Sequence, residues 1–286
     1  MKTGIDSYCF HRFFGEVYDG QDKPAKNLTV EELLARAKQI DVDGISFESC
    51  FLPSDEDSFF TDLGNEMDRL GLDRVLAWGH PNGLERGKNP AALDDLIRYI
   101  PKAVKMKAKV MRITASCHLW RFEDHQEQIK AVLPMLKKAV KAAEGEGVKL
   151  AMENHMDFTA PEIKSIIDQI GSPNFGVTFD SGNFFRMLQD PVEAMEILGP
   201  YVFATHLKDL AVDTNWKISD WCFFSGVPVN WGILDNSKLA AILKRCNYQG
   251  MLCVEIDQPH SQWKGLEDAA VEISAYELRK IADKFK

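Results

Sequence analysis

Eight short, mostly apolar runs punctuate the chain, and the last four stop on a polar or charged group. They read GIDSYCF (4–10), GISFES (44–49), RVLAWG (74–79), KVMRIT (109–114), KLAMEN (149–154), FGVTFD (175–180), VFATHLK (202–208) and MLCVEID (251–257). Near-continuous apolar runs suit strands buried on both faces of a parallel sheet. Helix-like segments separate them, and eight strand–helix units predict a closed (β/α)8 TIM barrel. The helix punctuation is explicit. Thr29 with Glu32, and Thr159 with Glu162, have the spacing of capping boxes. Asn89–Pro90 and Asp190–Pro191 each place a cap before a proline at the first helical position, and Gly171 and Gly199 can end helices. Pro134 predicts a kink, or two helices meeting there.

Two connections are too long for simple turns. Residues 10–27 follow the first strand; residues 208–235 follow the seventh and carry Trp216, Trp221, Phe223, Phe224 and Trp231. Both leave the carboxyl ends of strands, the side on which barrel active sites sit, and are expected to be lids or partner surfaces.

Composition narrows the classes. The 286 residues are 45% hydrophobic and 27% charged, with no linker or low-complexity tract, which predicts a single domain over 1–286. A net charge of −9 argues against a nucleic-acid or anionic-membrane surface. No stretch of about 20 apolar residues suggests a membrane span. Six cysteines without CxxC pairing fit a reduced, cytoplasmic protein.

Four residues of ligand type end successive strand-like runs: Glu153, Asp180, His206 and Glu255. In a parallel barrel these ends converge on one face. Three carboxylates brought together repel unless a cation lies between them. Oxygen ligands with one imidazole suit Mn²⁺, Mg²⁺, Co²⁺ or Zn²⁺. Any one of the four could be a helix cap or a satisfied core group; the ordered set points to a metal.

The segments LAMENHMDFT, SPNFGVTFDSGNFF, DPVEA, THLKD and VEID resemble the xylose isomerase-like TIM barrels, which include sugar phosphate isomerases/epimerases, ketose 3-epimerases and inosose dehydratases. The resemblance implies that Glu153, Asp180, His206 and Glu255 bind one divalent ion, Mn²⁺ first among the four. It implies an isomerase or epimerase of a sugar, oxo-sugar or polyol, with Glu153 and Glu255 removing and returning a proton through a metal-stabilised enediolate. His155 is a further candidate base, and His11, His118, Asn183 and Lys208 are candidate substrate-binding groups. Asn183 is a departure, because the epimerases commonly carry His at that position. Arg12, His80, Arg112 and His260 are weaker sugar-binding candidates; Trp78, Trp120 and Trp263 either stack on a sugar or pack.

The opening GIDSYCFHRFFGEVYDG resembles the α subunits of bacterial C-glycoside deglycosidases. That likeness implies a lyase acting by elimination on a 3-oxo-glycoside, with His155 as base and a small β-subunit partner. The aromatic loop after the seventh strand offers a surface for such a partner or for a second copy. An apurinic endonuclease on this barrel would need more metal ligands and a basic groove, which the acidic balance opposes. A non-catalytic sugar-binding barrel is the third alternative.

Overall fold

The structure, a computed structural model, describes residues 1–79 and 82–285. The sugar-binding candidate His80 lies outside them. Eight parallel strands form one sheet: β1 (Lys2–Asp6), β2 (Gly44–Glu48), β3 (Asp73–Ala77), β4 (Val110–Thr114), β5 (Lys149–Glu153), β6 (Phe175–Asp180), β7 (Val202–His206) and, after an antiparallel hairpin of β8 (Asp209–Val212) and β9 (Phe224–Val227), β10 (Met251–Val254). The order is β10-β1-β2-β3-β4-β5-β6-β7. A parallel bridge between Leu207 and Val254 joins its two ends, so the sheet closes into the expected barrel.

Around it lie α1 (Val30–Gln39), α2 (Asp57–Leu70), α3 (Pro90–Lys105), α4 (His125–Glu146), α5 (Ala160–Ile170), α6 (Ser181–Arg186), α7 (Pro191–Leu198), α8 (Asn236–Arg245) and α9 (Glu267–Asp283). Both capping boxes form. Asn89 and Asp190 cap α3 and α7 ahead of their prolines. Gly171 ends α5 in the left-handed conformation, whereas Gly199 ends α7 in right-handed geometry. Pro134 does not divide its segment: α4 runs through it as one helix. None of the helices among the described residues is long and apolar enough to cross a membrane.

Strand alternation sorts the side chains. In β2, Ile45 and Phe47 join the large core between strands and helices, while Gly44, Ser46 and Glu48 share the other face. At the lower end Val75, Ala204 and Met251 form a small apolar cluster of their own. At the carboxyl end the buried groups are largely ionisable.

The structure corrects two expectations. The first strand stops at Asp6 rather than Phe10, because the Asp6 carboxylate accepts from Tyr8 N–H at 2.7 Å and turns the chain into a 3-10 helix over Ser7–Phe14. The segment 208–235 is not all loop. It contains the β8–β9 hairpin, and Asp209 holds its far end by accepting from the backbone N–H groups of Gly232 and Leu234.

Candidate metal centre and active site

The ends of β5, β6, β7 and β10 bring Glu153, Asp180, His206 and Glu255 together, with one ligand atom from each lying within 4.8 Å of the others. All four residues are buried. A register shift between Val177 and Thr178 sets Asp180 directly beside His206 across the β6–β7 pair. Asp180 also caps α6: Oδ1 accepts from Asn183 N–H at 2.8 Å, leaving Oδ2 for the cluster. The Asn154 amide clamps the ends of β5 and β6 together. It donates to Asp180 O and accepts from Asp180 N–H, both at 2.8 Å.

His206 is held from two sides. Nδ1 faces Glu255 Oε2 at 2.5 Å, Glu153 Oε1 at 3.3 Å and Asp180 Oδ2 at 3.9 Å. Nε2 faces Asp6 Oδ2 at 3.3 Å. Burial disfavours the imidazolium, but Glu255, Glu153 and Asp6 outweigh it and hold His206 well above its ordinary pKa. A carboxylate behind a ligating imidazole is the usual device for fixing its tautomer and ring orientation. Asp6 was missed in the sequence because it was read as the interior of a longer strand.

Lys208 reaches the same cluster, with Nζ 2.7 Å from Asp180 Oδ2, 2.8 Å from Asp257 Oδ2 and 3.3 Å from Glu255 Oε1. Asp257 also forms a two-pronged ion pair with Arg186, whose guanidinium lies 4.8 Å from the centre of the Trp221 ring. On the other side Arg112 grips Glu153 through Nε and Nη2 and meets Glu48 at 3.3 Å. Burial raises the Glu153 carboxyl, but Arg112 and then His206 pull it well below the usual carboxylate range. Burial, reinforced by Glu255 and Glu153, pushes Asp180 up to about 7 despite Lys208. Burial pushes Glu48 up to about 8 despite Arg112.

The donor set fits a divalent cation. Six buried carboxylates (Asp6, Glu48, Glu153, Asp180, Glu255 and Asp257) face three permanent cations, Arg112, Arg186 and Lys208, together with His206. Among the described residues, Asp6 Oδ2, Asp180 Oδ2 and Glu255 Oε2 are buried and receive no hydrogen bond of good geometry. Carboxyl groups crowded until burial raises Asp180 to about 7 and Glu48 to about 8, with oxygens left unpartnered, are what a metal relieves.

A cavity of about 200 Å³ opens beside the cluster. Tyr8, Glu16, Tyr18, Glu48, Arg112 and Thr114 are among the residues lining one part of it; His118, His155, Asn183, Lys208, Trp221 and Glu255 also line it. Glu16 accepts from the Tyr8 and Tyr18 hydroxyls at 2.9 and 3.0 Å, which ties the loop after β1 across the mouth. Tyr18 packs edge-on against Trp221 at 6.0 Å. Thus the β1 loop and the β8–β9 loop meet over the site.

The sequence-selected groups separate. His155 lies in the wall, its Nδ1 buried and without a hydrogen-bond partner, and burial lowers its pKa to about 4. His118 lines the same cavity, also with a partnerless Nδ1. Asn183 Nδ2 donates to Glu153 Oε1 at 3.3 Å. His11 does not line the cavity: its ring nitrogens meet Glu16 O at 2.6 Å and Asp257 O at 2.8 Å, so it braces loops. Arg12 pairs with Glu267 at 2.6 Å, and His260 caps a turn near the protein surface. Trp78 donates to Asp95 at 2.8 Å, Trp120 lies under Arg86, and Trp263 packs on Trp231.

With that geometry in view, comparison with known proteins is informative. The sequence model of the xylose isomerase-like TIM barrel family matches residues 34–276. A 3-oxo-isoapionate decarboxylase from Pectobacterium atrosepticum is 26% identical over 158 residues, which are 54% of this chain and 54% of that protein. The chain therefore spans about half the length of that curated relative. An L-ribulose 3-epimerase superimposes with a TM-score of 0.74 at 16% identity, over 99% of this chain and 95% of the other. IOLI protein with a bound zinc atom superimposes with a TM-score of 0.75 at 14% identity, over 100% and 99% of the two chains. At such identities the two structural likenesses speak for the fold.

Proposed function

Because the chain belongs to the xylose isomerase-like TIM barrel family, we propose that it is a divalent-metal enzyme that removes a proton from a carbon beside a carbonyl of a sugar, oxo-sugar or polyol. The observation that carries this is the buried Glu153–Asp180–His206–Glu255 cluster opening onto a cavity with unpaired polar groups. The ion would be held by those four side chains and would supply Lewis-acid polarisation of the carbonyl. Zinc stands beside manganese as the first ion to load, given the zinc atom of the IOLI protein.

The protein's own groups divide the work. Glu255 and His155 border the cavity and act as proton acceptors and donors on the substrate carbon. His155 is placed for the base role by its position in the cavity wall, where its Nδ1 is buried and has no hydrogen-bond partner. Glu153 is gripped by Arg112 and by Asn183. That grip lowers its basicity and makes it the more strongly held partner of the Glu153–Glu255 pair. Asp6 fixes the His206 ring, and Lys208 places a positive charge beside Glu255 and Asp257. The Tyr8–Glu16–Tyr18 strap with Trp221 limits water at the mouth.

Return of the proton gives an isomerase or epimerase, the reading favoured by the likeness to the L-ribulose 3-epimerase. Loss of a neighbouring group gives a lyase on a 3-oxo-glycoside. Two observations favour this second reading: the restraint of Glu153 by Arg112, which leaves His155 as the freer base, and the similarity to a protein named as a decarboxylase. The experiment is proton exchange in D₂O with Mn²⁺- or Zn²⁺-loaded protein, offered ketoses, inososes and 3-oxo-glycosides and followed by NMR. Deuterium uptake with an epimer or isomer supports the first reading, aglycone release the second. Metal binding with neither points to the non-catalytic sugar-binding barrel.

A further inference from the structure

Four carboxylates border the cavity, and they differ sharply in how well they are satisfied. Glu16 accepts from two tyrosine hydroxyls. Asp257 is held by Arg186 and Lys208. Glu255 belongs to the metal cluster. Glu48 has much less. Its side chain is 3% exposed, and its side-chain contact among the described residues is with Arg112 Nη1, at 3.3 Å to Oε1 and 3.4 Å to Oε2. The rest of that guanidinium is turned to Glu153.

A carboxyl group offers about four hydrogen-bonding positions, and the single Arg112 nitrogen at 3.3–3.4 Å leaves some of them open to a ligand in the cavity. The surroundings hold that under-bonded group at the cavity. Strand alternation puts Glu48 on the inner face of β2, and its backbone N–H donates to Ser7 Oγ at 2.8 Å. Space beside it is kept by Gly79: a Cβ there would come within 2.9 Å of Glu48 Oε2 and 2.6 Å of Cys50 Sγ. Arg112 stands between Glu48 and Glu153, so Glu48 faces a part of the ligand distinct from the part at the cluster.

We propose that Glu48 is a substrate-binding, specificity-determining residue that exchanges hydrogen bonds with hydroxyl groups on the portion of a polyhydroxy ligand lying away from the Glu153–Asp180–His206–Glu255 cluster. This rests on the sugar reading of the site. Two neighbouring hydroxyls match the two oxygens of one carboxylate, as an aliphatic or deoxygenated segment does not. A purely structural Glu48 would instead serve as counter-charge to Arg112.

The test compares wild type with Glu48→Gln and Glu48→Ala in metal-loaded protein. Binding of D-fructose, 2-keto-myo-inositol and methyl 3-oxo-β-D-glucopyranoside is measured by calorimetry, alongside metal content and Tm. Because Glu153 still neutralises Arg112, both variants are expected to keep their metal and to melt no lower than wild type. Glu48→Gln should weaken the sugar that binds by about 10- to 100-fold. Unchanged affinity would overturn the proposal, as would a drop in Tm beyond about 4 °C in Glu48→Gln, the mark of a lost structural ion pair. Wild-type protein that holds metal but binds none of the three sugars would contradict the sugar reading itself. The Tm comparison would then decide Glu48 alone, a drop overturning its assignment and an unchanged or higher Tm supporting it.

Discussion

Two halves of the barrel mouth are built on the same strand-end logic but differ in how they are satisfied. On one side β5, β6, β7 and β10 deliver Glu153, Asp180, His206 and Glu255 to a common point, each braced by a neighbour: Arg112, Asn154, Asp6 and Lys208. On the other side β2 and the loop after β1 deliver Glu48, Glu16, Tyr8 and Tyr18, of which Glu48 is the under-bonded member. The first side is arranged around a charge it must neutralise. The second has the spare hydrogen-bonding capacity and loop-borne aromatics of a surface that recognises a ligand. On the proposed reading, chemistry and selectivity fall to different strands of one ring, joined through Arg112.

Breaking the first side should have the largest effect. Glu255→Gln keeps the shape but removes a carboxylate from both the cluster and the cavity; turnover should fall by about 10²- to 10⁴-fold with the fold intact by circular dichroism. Near-normal activity would remove Glu255 from the acid/base assignment. Next in size is the joint between the halves. Arg112→Met leaves Glu153 and Glu48 buried without their shared counter-charge, which should cost about 3–5 kcal/mol of stability in metal-free protein. A denaturant midpoint equal to that of wild type would contradict the ion-pair account.

Asp6→Asn sharpens the comparison from behind His206. The ring loses its orienting carboxylate, so metal affinity should drop by about 10- to 100-fold in a chelator competition. The smallest effect lies outside both halves, at Asp157, which accepts from the His155 and Phe158 N–H groups and has Oδ2 unpartnered. Burial raises its carboxyl to about 7. A raised acid contributes stability that is complete below its ordinary pKa of 3.8 and is lost as pH climbs through 7. Asp157→Asn should therefore flatten the decline of stability between about pH 4 and 7. An unchanged pH slope in urea melts would show that Asp157 does not titrate there.

The same contrast explains what the sequence made legible. The four cluster residues each end an apolar run, so their convergence follows once the strands close into a barrel. Glu48 also ends a run, GISFES, but a single strand-end acid reads as a helix cap until its poor bonding in space is known. Asp6 was hidden because the apolar residues after it, Cys9 and Phe10, extended the apparent strand, although both are buried in a 3-10 turn. Arg186 carried no local signal; it matters only because α6 carries it to Asp257. The β8–β9 hairpin escaped notice because two four-residue strands flank a long polar and aromatic insertion. Local pattern marks the strand ends, whereas bonds between distant segments decide which of those ends hold a ligand.

Metal content tests the central claim most directly. Wild-type protein and the His206→Ala and Glu48→Gln variants would be dialysed against Mn²⁺ or Zn²⁺, freed of excess and assayed by elemental mass spectrometry. The account predicts one tightly held ion per chain in wild type and Glu48→Gln, and almost none in His206→Ala. An empty wild-type protein, or equal metal in His206→Ala, would contradict it.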